Sequence, residues 1–324
     1  MEKTRRSFLI KASTASLALL LGQCRRSGEL QSFTEREAID DHWSGIGFGI
    51  EMSAEWFGVS ERLVLQLNAM VEQTIQQLEA AFSLYSGSSE LSRLNSEREL
   101  HRPSKMFLEL LEISKTLVDR TSGLFQPAIH GAWSVVDGAS LASDWKQRIK
   151  ASSLDYLQVD GDLLTLTNPL TELSFNALVQ GFLTDKVAQS ARELGVETAL
   201  LHLGESYAIG QHPEGRDWSL AVMGTPEGGE IDLVGTVEYA DAGLAVSAHD
   251  ATRKLVNPTT GKILQNDRVV AVISKEGATV ADAFATAFAV ADKAQWADLY
   301  DSLKIEQAGA VKIWQKNQLV FERG

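Results

Sequence analysis

The sequence predicts an α+β protein: one large domain of mixed sheets with packed helices. Three observations carry this. Helical and strand-like apolar patterns alternate along the chain without the strict strand–helix–strand rhythm of a doubly wound sheet. The two commonest nucleotide loops, G-x-G-x-x-G and G-x-x-x-x-G-K-[ST], are absent. The chain of 324 residues is 44% hydrophobic and 23% charged, close to the globular average and long enough for one large core.

The elements follow in order. Ser60 can cap a helix whose apolar positions Leu63, Leu67, Val71, Ile75, Leu78 and Phe82 recur every three or four residues. A second helix runs through Met106, Leu110, Ile113 and Leu117, with Gly123 as its stop signal. Val159-Asp160-Gly161-Asp162-Leu163 reads as a hairpin turn. Phe182 to Leu194 is helical again, Gly195 ends it, and Thr198 to Leu203 reads as a buried strand. Val269 to Ser274 is a β-branched strand, followed by an alanine-rich helix from Thr279 to Ala291. Lys312 to Phe321 alternates around Lys316-Asn317 and predicts a closing hairpin.

Charge and residue usage exclude several classes. Lys plus Arg is 30 against 43 Asp plus Glu, a formal net charge of −13 that repels a phosphate backbone and argues against nucleic-acid binding. A small anionic ligand held through a metal ion remains compatible with it. The single cysteine, Cys24, rules out an internal disulfide and CxxC metal sites. His42, His101, His130, His202 and His212 show no HxxxH or HExxH spacing, so zinc is not expected. Ser247 and His249 are too close in sequence for a nucleophile–base pair, and no G-x-S-x-G elbow is present.

The N-terminus is read as an address. Arg5-Arg6 ahead of the short apolar run Ala12–Gly22 resembles a twin-arginine export signal over residues 1–23, and the run is too short and Ser/Thr-rich for a comfortable membrane span. Leu21-Gly22-Gln23-Cys24 is similar to a lipobox, although Gln23 departs from the small residue normally found there. Residues 24–42 read as a tether and 43–324 as the domain, expected to lie in the periplasm, with Cys24 as the candidate lipid anchor to the membrane.

Ala281-Asp282-Ala283-Phe284-Ala285-Thr286-Ala287 carries the most chemistry. Asp282 and Thr286 are four apart, so on a helix their oxygens stack on one face amid small apolar residues. Two readings stand. Carboxylate plus hydroxyl suits a hard cation such as Mg²⁺; alternatively Thr286 bonds back to its own helix while Asp282 caps the N-terminal turn.

Five segments in order resemble the ApbE family, the FAD:protein FMN transferases. They are Phe82-Ser83-Leu84-Tyr85 through Ser89-Glu90-Leu91-Ser92-Arg93-Leu94-Asn95 (FS-x-Y…SE-L-S-x-L-N), Gly123-Leu124-Phe125-Gln126-Pro127 (G-x-F-D-P) with Trp133 downstream, Leu173 to Asp185 ending in Gly181-Phe182-Leu183-Thr184-Asp185 (G-[YF]-x-x-D), Asn257-Pro258-Thr259-Thr260-Gly261 (D-P-x-T-G), and Ala281 to Ala287 (ADA-x-AT-A). The resemblance spans about Gly47 to Ala291.

The resemblance implies an α+β flavin transferase that takes FAD as substrate. It would use Mg²⁺ to move the FMN half onto a threonine of an acceptor protein and release AMP. It implies Asp282 and Thr286 as metal ligands, completed by a group near Ala177. Phe48, Tyr85, Leu124, Phe125 and Gln126 would bracket the flavin and adenine ends, and Ser174, Gln180 and Val256 would line the phosphate and ribose region.

Some positions depart from the pattern. Gln126 replaces a carboxylate, and Gln180 stands where the family more often has a charged residue. The family's H-[IV]-[IV]-D-P reads Lys254-Leu255-Val256-Asn257-Pro258, which loses an imidazole and a carboxylate. A general base of this kind typically contributes about 10²–10⁴-fold. Lys254 and, five residues upstream, His249 are the candidates left to replace it. Gly204-Glu205-Ser206 stands where the family has a Gly-Gly-Asp-like turn and reads as a backbone bend rather than a ligand. The alternative function is an impaired relative: a lipoprotein that binds FAD or a partner without transferring.

Overall fold

Two strands that the sequence pattern does not announce open the described chain. β1 (Ile39–Gly47) and β2 (Ile50–Val59) are antiparallel around Phe48-Gly49, both at positive φ. The computed structural model describes residues 38–136, 143–224, 232–248, 255–264, 268–303 and 309–324. The export segment, Cys24, His249 and Lys254 lie outside the described residues.

α1 (Glu61–Phe82) begins where expected: the Ser60 hydroxyl accepts the Leu63 N–H at 3.3 Å. Its buried stripe runs through Val64, Leu67, Val71, Ile75, Leu78 and Phe82. α2 (Glu90–Glu97) and β3 (Glu99–His101) follow, then α3 (Lys105–Arg120). The last of these is terminated by Gly123, at φ 76, whose N–H returns to the Val118 carbonyl at 2.8 Å. Next come α4 (His130–Trp133), α5 (Trp145–Ala151) and the expected hairpin of β4 (Leu157–Asp160) and β5 (Leu163–Leu166) around Gly161.

α6 (Val179–Glu193) starts three residues earlier than predicted. β6 (Thr198–His202), β7 (Ser206–Ile209), β8 (Trp218–Gly224), β9 (Asp232–Tyr239), β10 (Ala242–Ala248), β11 (Leu255–Val256), β12 (Ile263–Leu264) and β13 (Arg268–Ser274) lead to the alanine-rich α7 (Ala278–Val290). α8 (Trp296–Leu303) precedes the closing hairpin of β14 (Gly309–Gln315) and β15 (Gln318–Arg323). Lys316 and Asn317 both take positive φ there, as a two-residue hairpin turn with right-handed strand twist requires.

Eight strands form one sheet in the order β1-β2-β6-β7-β10-β13-β14-β15, with every neighbouring pair antiparallel. That arrangement is the α+β class predicted and excludes a doubly wound sheet. The main core joins one face of this sheet to α1, α3, α6 and α7 through residues such as Leu67, Phe107, Phe182, Phe284 and Val272. The β8–β9 hairpin covers a smaller core that includes Leu200, Trp218, Tyr239, Leu244 and Trp314. Among the described residues no helix is long and apolar enough to cross a membrane.

α7 lies deepest, and its small residues are what allow it to. A Cβ on Gly243 of β10 would stand 2.1 Å from the Ala278 nitrogen, and one on Gly181 of α6 would stand 2.5 Å from the Ala278 oxygen. No side chain fits at either position, so both elements meet α7 backbone to backbone.

Candidate functional site

The site is organised by the way α7 is held. Its N-cap is Gly277 at φ 125, which has no side chain to offer the helix's free N–H groups. Asp185 of α6 serves instead: its carboxylate accepts the Ala278 N–H at 2.7 Å, the Thr279 N–H at 2.8 Å and the Thr279 hydroxyl. At the other end, buried Arg268 donates from Nη1 to the carbonyls of Phe288, Ala289 and Ala291. The Asn257 amide donates to the Val290 carbonyl at 3.1 Å. These partners satisfy carbonyls that the helix leaves open.

Asp282, one turn into α7, is 7% exposed. Its Oδ2 is buried without a partner. Burial, reinforced by the nearby charge of Asp185, pushes its carboxyl up to about 7 against the opposing pull of the Gly181 N–H. Burial also raises Asp185, to about 6, despite its three hydrogen bonds. An orphaned oxygen on a buried carboxyl is costly unless a proton or a cation resolves it.

A second carboxylate faces this one. The Glu205 side chain accepts the Val246 N–H at 3.2 Å, and burial together with Asp282 raises its pKa well above the ordinary range. Its backbone carbonyl takes the Thr184 hydroxyl at 3.3 Å, and Gly204 at φ 101 packs against the Gln180 side chain. The bend expected over Gly204-Glu205-Ser206 is present, but it aims an acidic side chain at the site. Sequence reasoning reached this turn through the resemblance but read Glu205 as part of a bend, because a single acid after a glycine carries no spacing signal of its own.

The motif segments join in space. Asn95 brackets Leu173, donating to its carbonyl and accepting its N–H, both at 2.8 Å. Ser174 donates its N–H to the Pro127 carbonyl at 2.9 Å, so the Gln126-Pro127 turn lies beside the strand of chain leading through Ala177 to α6. Thr259 lies against Gly123, where an added Cβ would meet its methyl at 3.7 Å. Ser89 caps α2, and the Glu90 carboxylate accepts both the N–H and the hydroxyl of Ser104, the cap of α3. Much of the resemblance is therefore latchwork that ties separate segments of the chain together.

The remaining candidates sort by placement. Ser174 and Ala177, just before α6, and Gln180 in its first turn are half-buried, and Thr286 is half-buried one turn beyond Asp282. Phe48 and Tyr85 both stand at the C-terminal end of α1: the Phe48 N–H donates to Glu79 at 2.6 Å, and Tyr85, three residues past the helix, is 91% exposed. Leu124 and Phe125 are core residues at 2% exposure, so only their backbone could meet a ligand. Gln126 is buried and turns its Oε1 to the Ala128 N–H at 3.2 Å, the acceptor role open to the carboxylate it replaces. Val256 packs with Ala132 and Trp145.

The oxygen donors on α7 suit a hard cation: the free oxygen of Asp282 and the Thr286 hydroxyl on the same helix face. Among the described residues, no group of three or more His, Cys, Asp and Glu is placed to bind a metal. Asp185 already spends its oxygens on α7, whereas Asp282 keeps one oxygen without a partner and has the Glu205 carboxyl nearby.

Fold and site together define an α+β domain that carries one buried, partly unpartnered carboxylate on a central alanine-rich helix. The ApbE family model matches residues 47–309, and the chain belongs to the ApbE family. It is 22% identical over 301 residues to a Vibrio cholerae protein named FAD:protein FMN transferase, covering 85% of each. Among solved structures it resembles the Vibrio cholerae flavin transferase ApbE at a TM-score of 0.72 and 20% identity, covering 88% of this chain and 97% of that one. It also resembles the apo Pseudomonas stutzeri flavinyl transferase ApbE at 0.72 and 20%, covering 88% and 94%.

Proposed function

We propose that this chain is an FAD:protein FMN transferase that works with Mg²⁺ in the periplasm on an acceptor protein. The observation that carries the reading is the orphaned Oδ2 of Asp282, held at the crossing of α6 and α7 on the family's ADA-x-AT-A helix. The names of its relatives support it.

In the reaction, a bond forms between the acceptor threonine oxygen and the FMN phosphorus while the pyrophosphate bond of FAD breaks. AMP leaves, and the threonine proton goes to a base. A bound Mg²⁺ would polarise the pyrophosphate and offset charge on the leaving phosphate. Asp282, Thr286 and the chain at Ala177 hold the cation in this reading. Ser174, Gln180 and Val256 line the phosphate and ribose region, and Phe48 and Tyr85 bracket the flavin with the Leu124–Gln126 turn. His249 and Lys254 are the candidate bases, replacing the family's histidine. Export through the twin-arginine segment and anchoring through Cys24 would place the enzyme beside extracytoplasmic acceptors.

The mature chain, incubated with FAD, Mg²⁺ and an acceptor domain, should add an FMN-sized mass to the acceptor, and Asp282→Ala should abolish the gain. An unmodified acceptor with FAD intact and still bound would favour the second reading, a binding module, to which the lysine at position 254 points. No FAD binding at all would sink both.

A further inference from the structure

We propose that Asp185 is the positioning residue of the cation site, acting through α7 to fix the carboxylate of Asp282. The inference rests on the cation reading above for the identity of what Asp282 holds. Two rungs tie α6 to α7. In one, the Asp185 carboxylate takes the first two N–H groups of α7 and the Thr279 hydroxyl. In the other, Gly181 packs backbone to backbone on the same first turn, where an added Cβ would stand 2.5 Å from the Ala278 oxygen. Gly181 and Asp185 are four residues apart on α6, so both rungs lie on one face of it and together seat the first turn of α7, one turn before Asp282.

The first rung has no local substitute. Gly277 offers no side chain, and its left-handed φ of 125 places Asp185 so close that a Cβ there would stand 2.5 Å from Oδ2. Bidentate Arg120–Glu276, at 2.7 and 2.8 Å, anchors the chain just before this point but offers nothing to the α7 N–H groups. A carboxylate is required because Asp185 meets three donors. An amide of the same shape keeps one acceptor oxygen and turns an NH₂ toward the others. Losing that rung frees the first turn of α7 and, with it, the position of Asp282 relative to Gly181.

The test is calorimetric titration of Mg²⁺ alone into the full folded chain, without FAD. Asp185→Asn should weaken Mg²⁺ binding about tenfold or more, as loss of an outer partner of a metal ligand typically does. Thr279→Val, which removes only the hydroxyl bond, should weaken it less. Leu164→Ala, a core truncation in β5 that lowers thermal stability by another route, should leave Mg²⁺ affinity unchanged. Wild-type affinity in folded Asp185→Asn, or an equal loss in Leu164→Ala, overturns the inference alone. Should Asp185→Asn not fold, wild-type affinity in Thr279→Val overturns it. Absence of Mg²⁺ uptake by the wild type overturns the cation reading, and this inference with it.

Discussion

Asn257 donates its amide N–H to the carbonyl of Val290 at 3.1 Å while its Oδ1 accepts the N–H groups of Thr259 and Thr260 and the Thr259 hydroxyl. Both faces of the amide are used, and the residue is buried. The asparagine that replaces the family's aspartate therefore closes the C-terminal end of α7 with a bond no carboxylate can make.

It follows that Asn257→Asp does not repair this chain. The substitution sets a carboxylate oxygen against the Val290 carbonyl and should cost about 1–3 kcal/mol, the penalty for a buried acceptor left unpaired. Thermal melts of the two proteins at neutral pH check this; equal or higher stability in the aspartate form would contradict it.

The cation-free protein should lose stability as pH rises. Unfolded, Asp282 ionises near 3.8; folded, burial holds its proton up to about 7. The fold thus binds more protons over that window, and the contribution of Asp282 to stability falls from about pH 4 to about pH 7. Melting in chelator at pH 5 and pH 8 should show the lower Tm at pH 8. Asp282→Asn should reduce the difference and stabilise the apoprotein at pH 8 by on the order of 2 kcal/mol. Identical pH slopes in the two proteins would speak against it.

Gly181→Ala should be severe for a helix position. Its Cβ would meet backbone atoms of Ala278 and Thr279 at 2.5–2.8 Å, and backbone cannot swing aside as a flexible side chain can. Overpacking of this kind costs about 1–3 kcal/mol and would here also push the first turn of α7, and Asp282 behind it, away from α6. The expected result is a lowered Tm together with weakened Mg²⁺ binding, whereas Gly195→Ala, which has open space but a φ of 90 that strains an alanine, should lower Tm and leave Mg²⁺ binding untouched.

Tyr85 separates function from stability. A ring 91% exposed contributes little to the fold, so Tyr85→Ala should change stability by less than about 0.5 kcal/mol. If the ring brackets the flavin, FAD affinity in equilibrium dialysis should fall at the same time. Unchanged affinity would remove Tyr85 from the site.

The legible parts of the molecule are those whose sequence period matches their burial. α1, the β4–β5 hairpin, α7 and the Lys316-Asn317 turn are all where the apolar spacing places them. β1 is not, because an edge strand whose residues are mostly exposed carries little alternation to read. α6 begins before its expected start because Gly181, a poor helix residue, is required there for close approach to α7. Asp282 is recognisable from its apolar surroundings. Asp185, Arg268 and Glu205 acquire meaning only through partners far along the chain, which local spacing cannot express.

The N-terminal anchor of α7 lies 93 residues upstream of it. Thirteen residues, mostly alanine and other small side chains, are too few to hold a helix in water unaided, so α7 depends on the sheet and on α6 being in place. Its sheet neighbour β13 is itself completed by β14, near the end of the chain. Such long-range closure makes the site a late product of folding. A nascent or C-terminally truncated chain should have no working fragment of it, and cation uptake should report that the whole domain has folded.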